Sequence, residues 1–496
     1  MGKSVNTHPH QTHMHYYENK TIIISIIIFL AIILLYYPLV TANFGYVDDY
    51  SFVQSSIKLD NASLMQSLSG DRILSGILTT ILFNTFNSIN EIKYIRLVSI
   101  IFISFSSVLI FYMLFMSGYS RKSSAAYAML VACTPSFQIY GSWAVLVGAP
   151  LSVIFSVLAA FSHLKFKGIK LFVVRSALLL ISLTLYQPTA MVFFSFLPFI
   201  VYQKTSKTKS TETYKFSLSY IISGFSGMLL AYLALPITTY IFNIPPSLRS
   251  SLATDPISKI EWFFKGPLIS STNIFMMRPQ IIPGLIILIL FLSLVVFDKK
   301  SRRFEFILSL IIAIPLSYTP NLLVAGDWAS NRTLIGLAVI WCGIIFLSIN
   351  LILDFRRNIF IDFFISIFLF SIFLESQNNV MDEFVIPGSI EYAYSLHELR
   401  KLDPHNNSTV CVVESRWFDS LARYTSMDDF GRSAFSVPWS ATSIFFDASH
   451  FLWPGKNVKF VLHKRAKNRC DYTINTMEIR TYRTYKNKLY TLGSNG

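Results

Sequence analysis

Apolar residues along this chain come in long runs separated by short polar stretches rich in Lys and Arg. The runs lie near 21–41, 97–117, 124–140, 146–164, 171–186, 188–203, 216–242, 282–298, 305–319, 334–353 and 358–375. A helix rising about 1.5 Å per residue needs roughly 17–25 apolar residues to cross a bilayer, and runs of this order predict about eleven transmembrane helices. The basic clusters between them are Lys3 and Lys20; Arg121 and Lys122; Lys165, Lys167 and Lys170; Lys204, Lys207 and Lys209; Lys299, Lys300, Arg302 and Arg303; and Arg356 with Arg357. With the N-terminus inside, eleven crossings put every cluster on the cytoplasmic side, as the positive-inside rule requires. Segment 73–90 would spoil that count as a further span. Its Ser, Thr and Asn residues suit a helix lying in or dipping into the outer interface.

Composition removes whole classes of function. Of the 496 residues, 53% are hydrophobic, only 14% are charged and 44 are Phe. Soluble domains carry about 25% charged residues, so the solvent for much of this chain is lipid. The net charge of +15 would suggest nucleic acid in a soluble protein. Here it sits in short loops without an aromatic-basic RNA motif, so no nucleic-acid partner is expected. The 21–41 run is too long for a cleaved signal and reads as a signal anchor. The histidines ahead of it (His8, His10, His13 and His15) read as a polar tail rather than a metal site.

This topology divides the chain into a cytoplasmic tail (1–20), a transmembrane domain (21–375) with outer loops 42–96, 243–281 and 320–333, and a periplasmic domain (376–496). The last part mixes acids with Lys and Arg and holds a helical stretch near 389–402. Short β-like runs follow at 408–414, 458–463 and 472–484, which predicts a small α/β domain. It contains Cys411 and Cys470. They form a disulfide in an oxidising compartment, or else Cys411 is simply a packed apolar residue of its strand. Cys133 and Cys342 fall inside apolar runs and read as core.

Three outer groups could carry chemistry. Asp48 and Asp49, in Tyr46-Val47-Asp48-Asp49-Tyr50, are adjacent carboxylates at a membrane boundary, where burial and mutual repulsion raise a pKa toward that of a general base. Arg72, in Gly70-Asp71-Arg72, opens the 73–90 helix, where a cation beside free backbone N–H groups suits a phosphate. Arg332, in Asp327-Trp328-Ala329-Ser330-Asn331-Arg332-Thr333, stands at the mouth of a span and is a further phosphate ligand. Arg278, with Arg249 and Lys265, adds anion candidates in the loop 243–281. Tyr186, Gln187, Asp327 and Trp328 are the candidate sugar contacts, by stacking or hydrogen bonding. Two neighbouring acids without a wider ligand set do not call for a metal, so no cofactor is expected, although a divalent ion would be compatible with them.

Taken together, the multi-span chain, the acidic pair in the first outer loop, the interfacial helix after it and the external α/β tail resemble the GT-C class of membrane glycosyltransferases. Within that class the chain looks like the serotype-converting O-antigen glucosyltransferases of enteric bacteria and their phages. The resemblance rests on Tyr46-Val47-Asp48-Asp49-Tyr50, Gly70-Asp71-Arg72-Ile73-Leu74, Tyr186-Gln187 and Asn331-Arg332-Thr333-Leu334. It implies a catalytic acid in the first outer loop and undecaprenyl-phosphate-glucose as donor. It further implies transfer to a sugar hydroxyl of O-antigen at the periplasmic face of a bacterial inner membrane. A donor-lipid flippase and a donor-synthesising glycosyltransferase are the implied partners. The competing readings are an O-antigen polymerase or ligase, and a lipid-linked sugar flippase or transporter. The latter calls for charged or broken helices at mid-membrane, and the acids here sit at the outer mouth.

Overall fold

A computed structural model describes residues 9–205, 209–244, 251–274, 281–297, 303–327, 329–355, 359–413, 429–463 and 470–477. The described chain is mostly helical. Six of its helices are long and apolar enough to cross a membrane: Asn19–Tyr36, Ile92–Ser117, Ala144–Leu164, Gly168–Leu185, Ser210–Phe242 and the stretch Asp362–Leu399. Ile282–Val296, Phe304–Leu316 and Ile335–Leu351 are shorter apolar helices, and so is Ile73–Thr85. The helix over Ile73–Thr85 has 13 residues, about 20 Å, and is too short to span.

Among the described residues, at least two of the eleven apolar runs are broken rather than continuous helices. The run 124–140 breaks at Pro135 into Arg121–Ala132 and Pro135–Ser142, because proline removes a helical donor and clashes with the preceding turn. The break frees the Cys133 carbonyl, which accepts from Gln138 Nε2 at 2.8 Å and from Ser376 Oγ at 3.0 Å. The run 188–203 becomes three short helices, Gln187–Ala190, Val192–Ser195 and Leu197–Thr205. Its residues are almost all buried in protein. Irregular backbone at membrane depth is tolerated only in such surroundings.

The last apolar helix, Ile359–Val380, does not end near 375. It continues through a π-helical turn, Met381–Val385, into Ile386–Leu399. Beyond it lies a three-stranded parallel sheet of β1 (Thr409–Val413), β2 (Lys459–His463) and β3 (Tyr472–Asn475), in the order β2-β1-β3. Cys411 in central β1 aligns with Val461 and Thr473. Parallel neighbours need a crossover, and the helix Pro438–Leu452 lies between β1 and β2 in the chain. Cys411 and Cys470 form a disulfide, with Cα atoms 5.7 Å apart.

Two apolar cores place the functional end. One fills the helical bundle, from Ile28 and Tyr36 through Phe137 and Phe193 to Ile340. The other joins Tyr50, Phe52, Val53, Phe83 and Ile95 to Ile390, Val410, Ile444 and Phe445. The tail thus shares its core with the first loop after the opening helix, and the helix that carries the acidic pair packs on that core through Tyr50, Phe52 and Val53.

Candidate active site

The opening helix is interrupted at Tyr37, resumes for one turn over Pro38–Thr41, and gives way from Ala42 to an extended stretch that re-enters helix at Asp48–Lys58. The residue before this helix, Val47, has φ +42°. A β-branched residue in that region is strained, and such strain is held only where surrounding structure fixes it. Here Ser440 Oγ donates to the Val47 carbonyl at 2.9 Å, and Tyr46 N donates to Asp49 Oδ2 at 3.0 Å.

Successive helical positions point about 100° apart, so the two acids face different surroundings. Asp49 is fully buried. It accepts from Val145 N at 3.1 Å and Ala144 N at 3.4 Å, and lies 3.5 Å from Arg96 Nη2. Arg96 is itself locked by Ser142 O at 3.0 Å, Phe44 O at 2.5 Å and the Phe44 ring at 3.6 Å. Burial nevertheless pushes the Asp49 carboxyl up to about 6, against Arg96 and three backbone N–H groups that favour its charge. Asp48 is only half-buried, and its Oδ1 accepts from Trp439 Nε1 at 2.7 Å. Burial raises its pKa too, opposed by the Trp439 hydrogen bond and the positive charges of Arg332 and Arg432.

Arg332 is mostly buried beside this pair. Its Nε is 3.3 Å from Asp429 Oδ2 and its guanidinium lies 4.9 Å from the centre of the Trp143 ring. Asp429 also accepts from Ser330 Oγ, and its carbonyl accepts from Tyr46 Oη. Tyr46 Oη accepts in turn from Arg432 N at 3.1 Å, across a turn made by Gly431 at φ +62°. The Tyr46 ring packs edge-on against Trp143 at 5.5 Å.

Arg72 belongs to an adjoining group. Gln187 Nε2 donates to Gly70 O and Asp71 O, each at 3.0 Å, and Gln187 Oε1 accepts from Arg72 Nε at 3.4 Å. Gln187 therefore holds the turn that opens the Ile73–Thr85 helix. Arg72 stacks 4.7 Å over the Tyr186 ring, and Tyr186 meets Tyr140 edge-on at 6.1 Å. Tyr140 Oη donates to the Arg332 carbonyl, which joins this group to the acidic pair. Asp71, whose φ is +58°, has its carboxyl raised by burial to about 6.

Asp327 joins a different group. Its carboxylate is exposed and pairs with buried Lys259 at 2.7 Å, whose Nζ also donates to Gly326 O at 2.8 Å and lies 4.2 Å from the Trp262 ring centre. Arg278 and Trp328 lie outside the described residues. Sequence reasoning missed Arg96, Trp143, Asp429, Arg432 and Trp439. A signal was present for two of them: Asp428-Asp429-Phe430-Gly431-Arg432 is a second acidic pair followed by a glycine and a cation. The site's carboxylates of Asp49 and Asp429 are taken up by protein donors. Among the described residues, the one metal-like grouping is Cys411, His463 and Cys470, two of which are bonded to each other.

The sequence model of a family described as Glucosyl transferase GtrII matches residues 37–348, well over half of the chain. No curated protein matches it. The matched region contains Asp48, Asp49, Arg72, Arg96, Trp143, Tyr186, Gln187 and Arg332, and stops short of Asp429, Arg432 and Trp439.

Proposed function

The chain belongs to the glucosyl transferase GtrII family, and from that premise we propose that it moves glucose from undecaprenyl-phosphate-glucose to a sugar hydroxyl of O-antigen at the periplasmic face of the inner membrane. The observation that carries the reading is the division of labour between adjacent acids. Asp49 is spent on backbone N–H groups and Arg96, while half-buried Asp48 faces Arg332 and Arg432.

In this mechanism the acceptor hydroxyl oxygen forms a bond to the anomeric carbon of the donor as the bond from that carbon to the phosphate oxygen breaks. The hydroxyl proton passes to Asp48, and undecaprenyl phosphate leaves with the bonding electron pair. A base placed in this way contributes about 10²–10⁴-fold. Negative charge grows on the leaving phosphate, and preorganised cations in a partly dry site stabilise it strongly. Arg332 and Arg432 are the cations whose charge favours ionised Asp48, and Arg72 lies over the Tyr186 ring. These guanidinium groups supply the charge, so the proposal includes activity without a divalent metal.

The bilayer delivers the donor lipid, and a flippase and a donor-synthesising glycosyltransferase are the proposed partners. Several basic side chains gather away from the site, which supports a cytoplasmic N-terminus. Lys122 pairs with Asp362, and Arg121 Nε donates to Thr21 Oγ1 at 3.1 Å. The test uses purified protein in liposomes, undecaprenyl-phosphate-[14C]glucose and lipopolysaccharide, with and without EDTA. Label in the lipopolysaccharide under both conditions supports the reading. Transfer from another lipid-linked sugar in place of glucose would overturn the donor, and loss of transfer with EDTA would overturn metal independence.

A further inference from the structure

Five tryptophans fall among the described residues, and four are at least half-buried: Trp143, Trp262, Trp341 and Trp453. Trp439 is exposed, at 54% of its surface. An indole left in solvent forgoes the burial of a large apolar face. This one is not loose. Its N–H edge donates to Asp48 Oδ1 at 2.7 Å, which fixes the ring's rotation and leaves a face uncovered beside the proposed base. An aromatic residue that merely anchors a protein in the membrane interface turns its polar edge to headgroups or water. Trp439 turns its polar edge to a carboxylate of its own chain.

The backbone beneath it is equally fixed. Pro438 starts the helix Pro438–Leu452, Ser440 Oγ donates to the Val47 carbonyl, and Ser443 Oγ donates to Gln54 Oε1 at 2.7 Å. This helix and Asp48–Lys58 also share the second apolar core. The indole and the carboxylate therefore keep one mutual geometry before any ligand arrives, and preorganisation lowers the cost of binding. The exposed side chain of Arg432 completes the rim. A pyranose has an apolar C–H face and hydroxyls around its edge. Laid on the indole, it would present an edge hydroxyl to Asp48.

We propose that the uncovered face of Trp439 is the platform on which the acceptor sugar stacks, holding the attacking hydroxyl at Asp48. The inference rests on the glycosyl-transfer reading above and deepens it. Donor-side residues Arg72 and Arg332 lie inside the family match, and the acceptor platform lies on the tail beyond it. Acceptor choice is then a property of the tail.

The test compares Trp439→Phe and Trp439→Leu in proteoliposomes with saturating donor and varied O polysaccharide, released by mild acid from lipopolysaccharide of the strain carrying the gene. Trp439→Phe keeps a stacking face but loses the N–H. Its acceptor KM stays within about twofold of wild type while kcat falls, and the acid limb of its pH profile moves up because a hydrogen bond favouring the ionised carboxylate is gone. Trp439→Leu loses both, and its acceptor KM rises by about tenfold or more with the donor KM unchanged. A reading on the unmutated side chain runs in parallel. In protein labelled with 5-fluorotryptophan, the fluorine signal absent from Trp439→Phe shifts when polysaccharide is added. An acceptor KM unchanged in Trp439→Leu, or a Trp439 signal that ignores polysaccharide, overturns the proposal. A signal that shifts in a protein with no glucosyl transfer keeps the sugar platform and overturns the reaction instead.

Discussion

Asp48 and Asp49 are neighbours in sequence with different surroundings, and substitution separates the duties proposed for them. Asp48→Asn should lower kcat by about 10²–10⁴-fold with no change in melting temperature, since its carboxylate accepts one hydrogen bond from an exposed indole. Asp49→Asn removes a fully buried charge from Arg96 and puts an amide donor among backbone donors. Breaking a buried pair in this way costs about 3–5 kcal/mol, so activity and melting temperature should fall together in detergent. Activity also follows pH in a definite direction. On the proposed mechanism transfer needs ionised Asp48, whose pKa burial raises, so kcat/KM should climb with pH through a limb above the ordinary aspartate value. A limb at or below the ordinary aspartate value would contradict this group as the base. The acidic pair, Arg72 and Arg332 were legible in the sequence because charge at a membrane boundary is costly and so conspicuous. The choice between the acids was not. It depends on Ala144, Val145 and Trp439, which lie about 95 and 391 positions away and follow no local pattern. Gln187 was legible as a buried polar group, but its partners, Gly70 and Asp71, come from packing alone.

Elements followed the hydrophobic pattern where a run was long and free of proline. Ile92–Ser117 is such a case, and Ser210–Phe242 stays helical although it contains Pro236. The pattern failed at 124–140 and 188–203, where apolar composition persists through Pro135, Pro188 and Pro198. Hydrophobicity reports burial, and protein burial and lipid burial look alike along a chain. It also failed near 375, where a polar stretch continues as helix because its buried face packs on the first loop. That packing makes the junction sensitive. A Cβ at Gly388 would stand 2.6 Å from Phe44 Cδ2, and Phe44 holds Arg96 through both its carbonyl and its ring. Gly388→Ala should therefore cost about 1–3 kcal/mol and also reduce transfer. Paired melting and activity measurements check this: stability lost without activity would mean that the helix does not position Asp49.

At the scale of the whole molecule, the tail completes the site rather than standing apart from it. The shared core of Tyr50, Phe83, Ile390 and Phe445 means that removing residues 386–496 should leave an inactive chain with exposed apolar surface. Only the tail's α/β character was visible in its sequence, because a core shared with residues 48–58 leaves no periodic trace. The proposed sidedness has its own check. If the tail faces an oxidising compartment, protein denatured straight from intact membranes should alkylate two of its four cysteines, Cys133 and Cys342. Four reactive thiols would put the tail inside. The central claim is that a glucosyltransferase site is built on Asp48, with Asp49 as its support. It is tested most directly by single-turnover transfer from undecaprenyl-phosphate-[14C]glucose to lipopolysaccharide, comparing wild type with Asp48→Asn at matched folded protein. The account predicts label transfer by wild type and its loss in Asp48→Asn. Transfer by Asp48→Asn at the wild-type rate would contradict it.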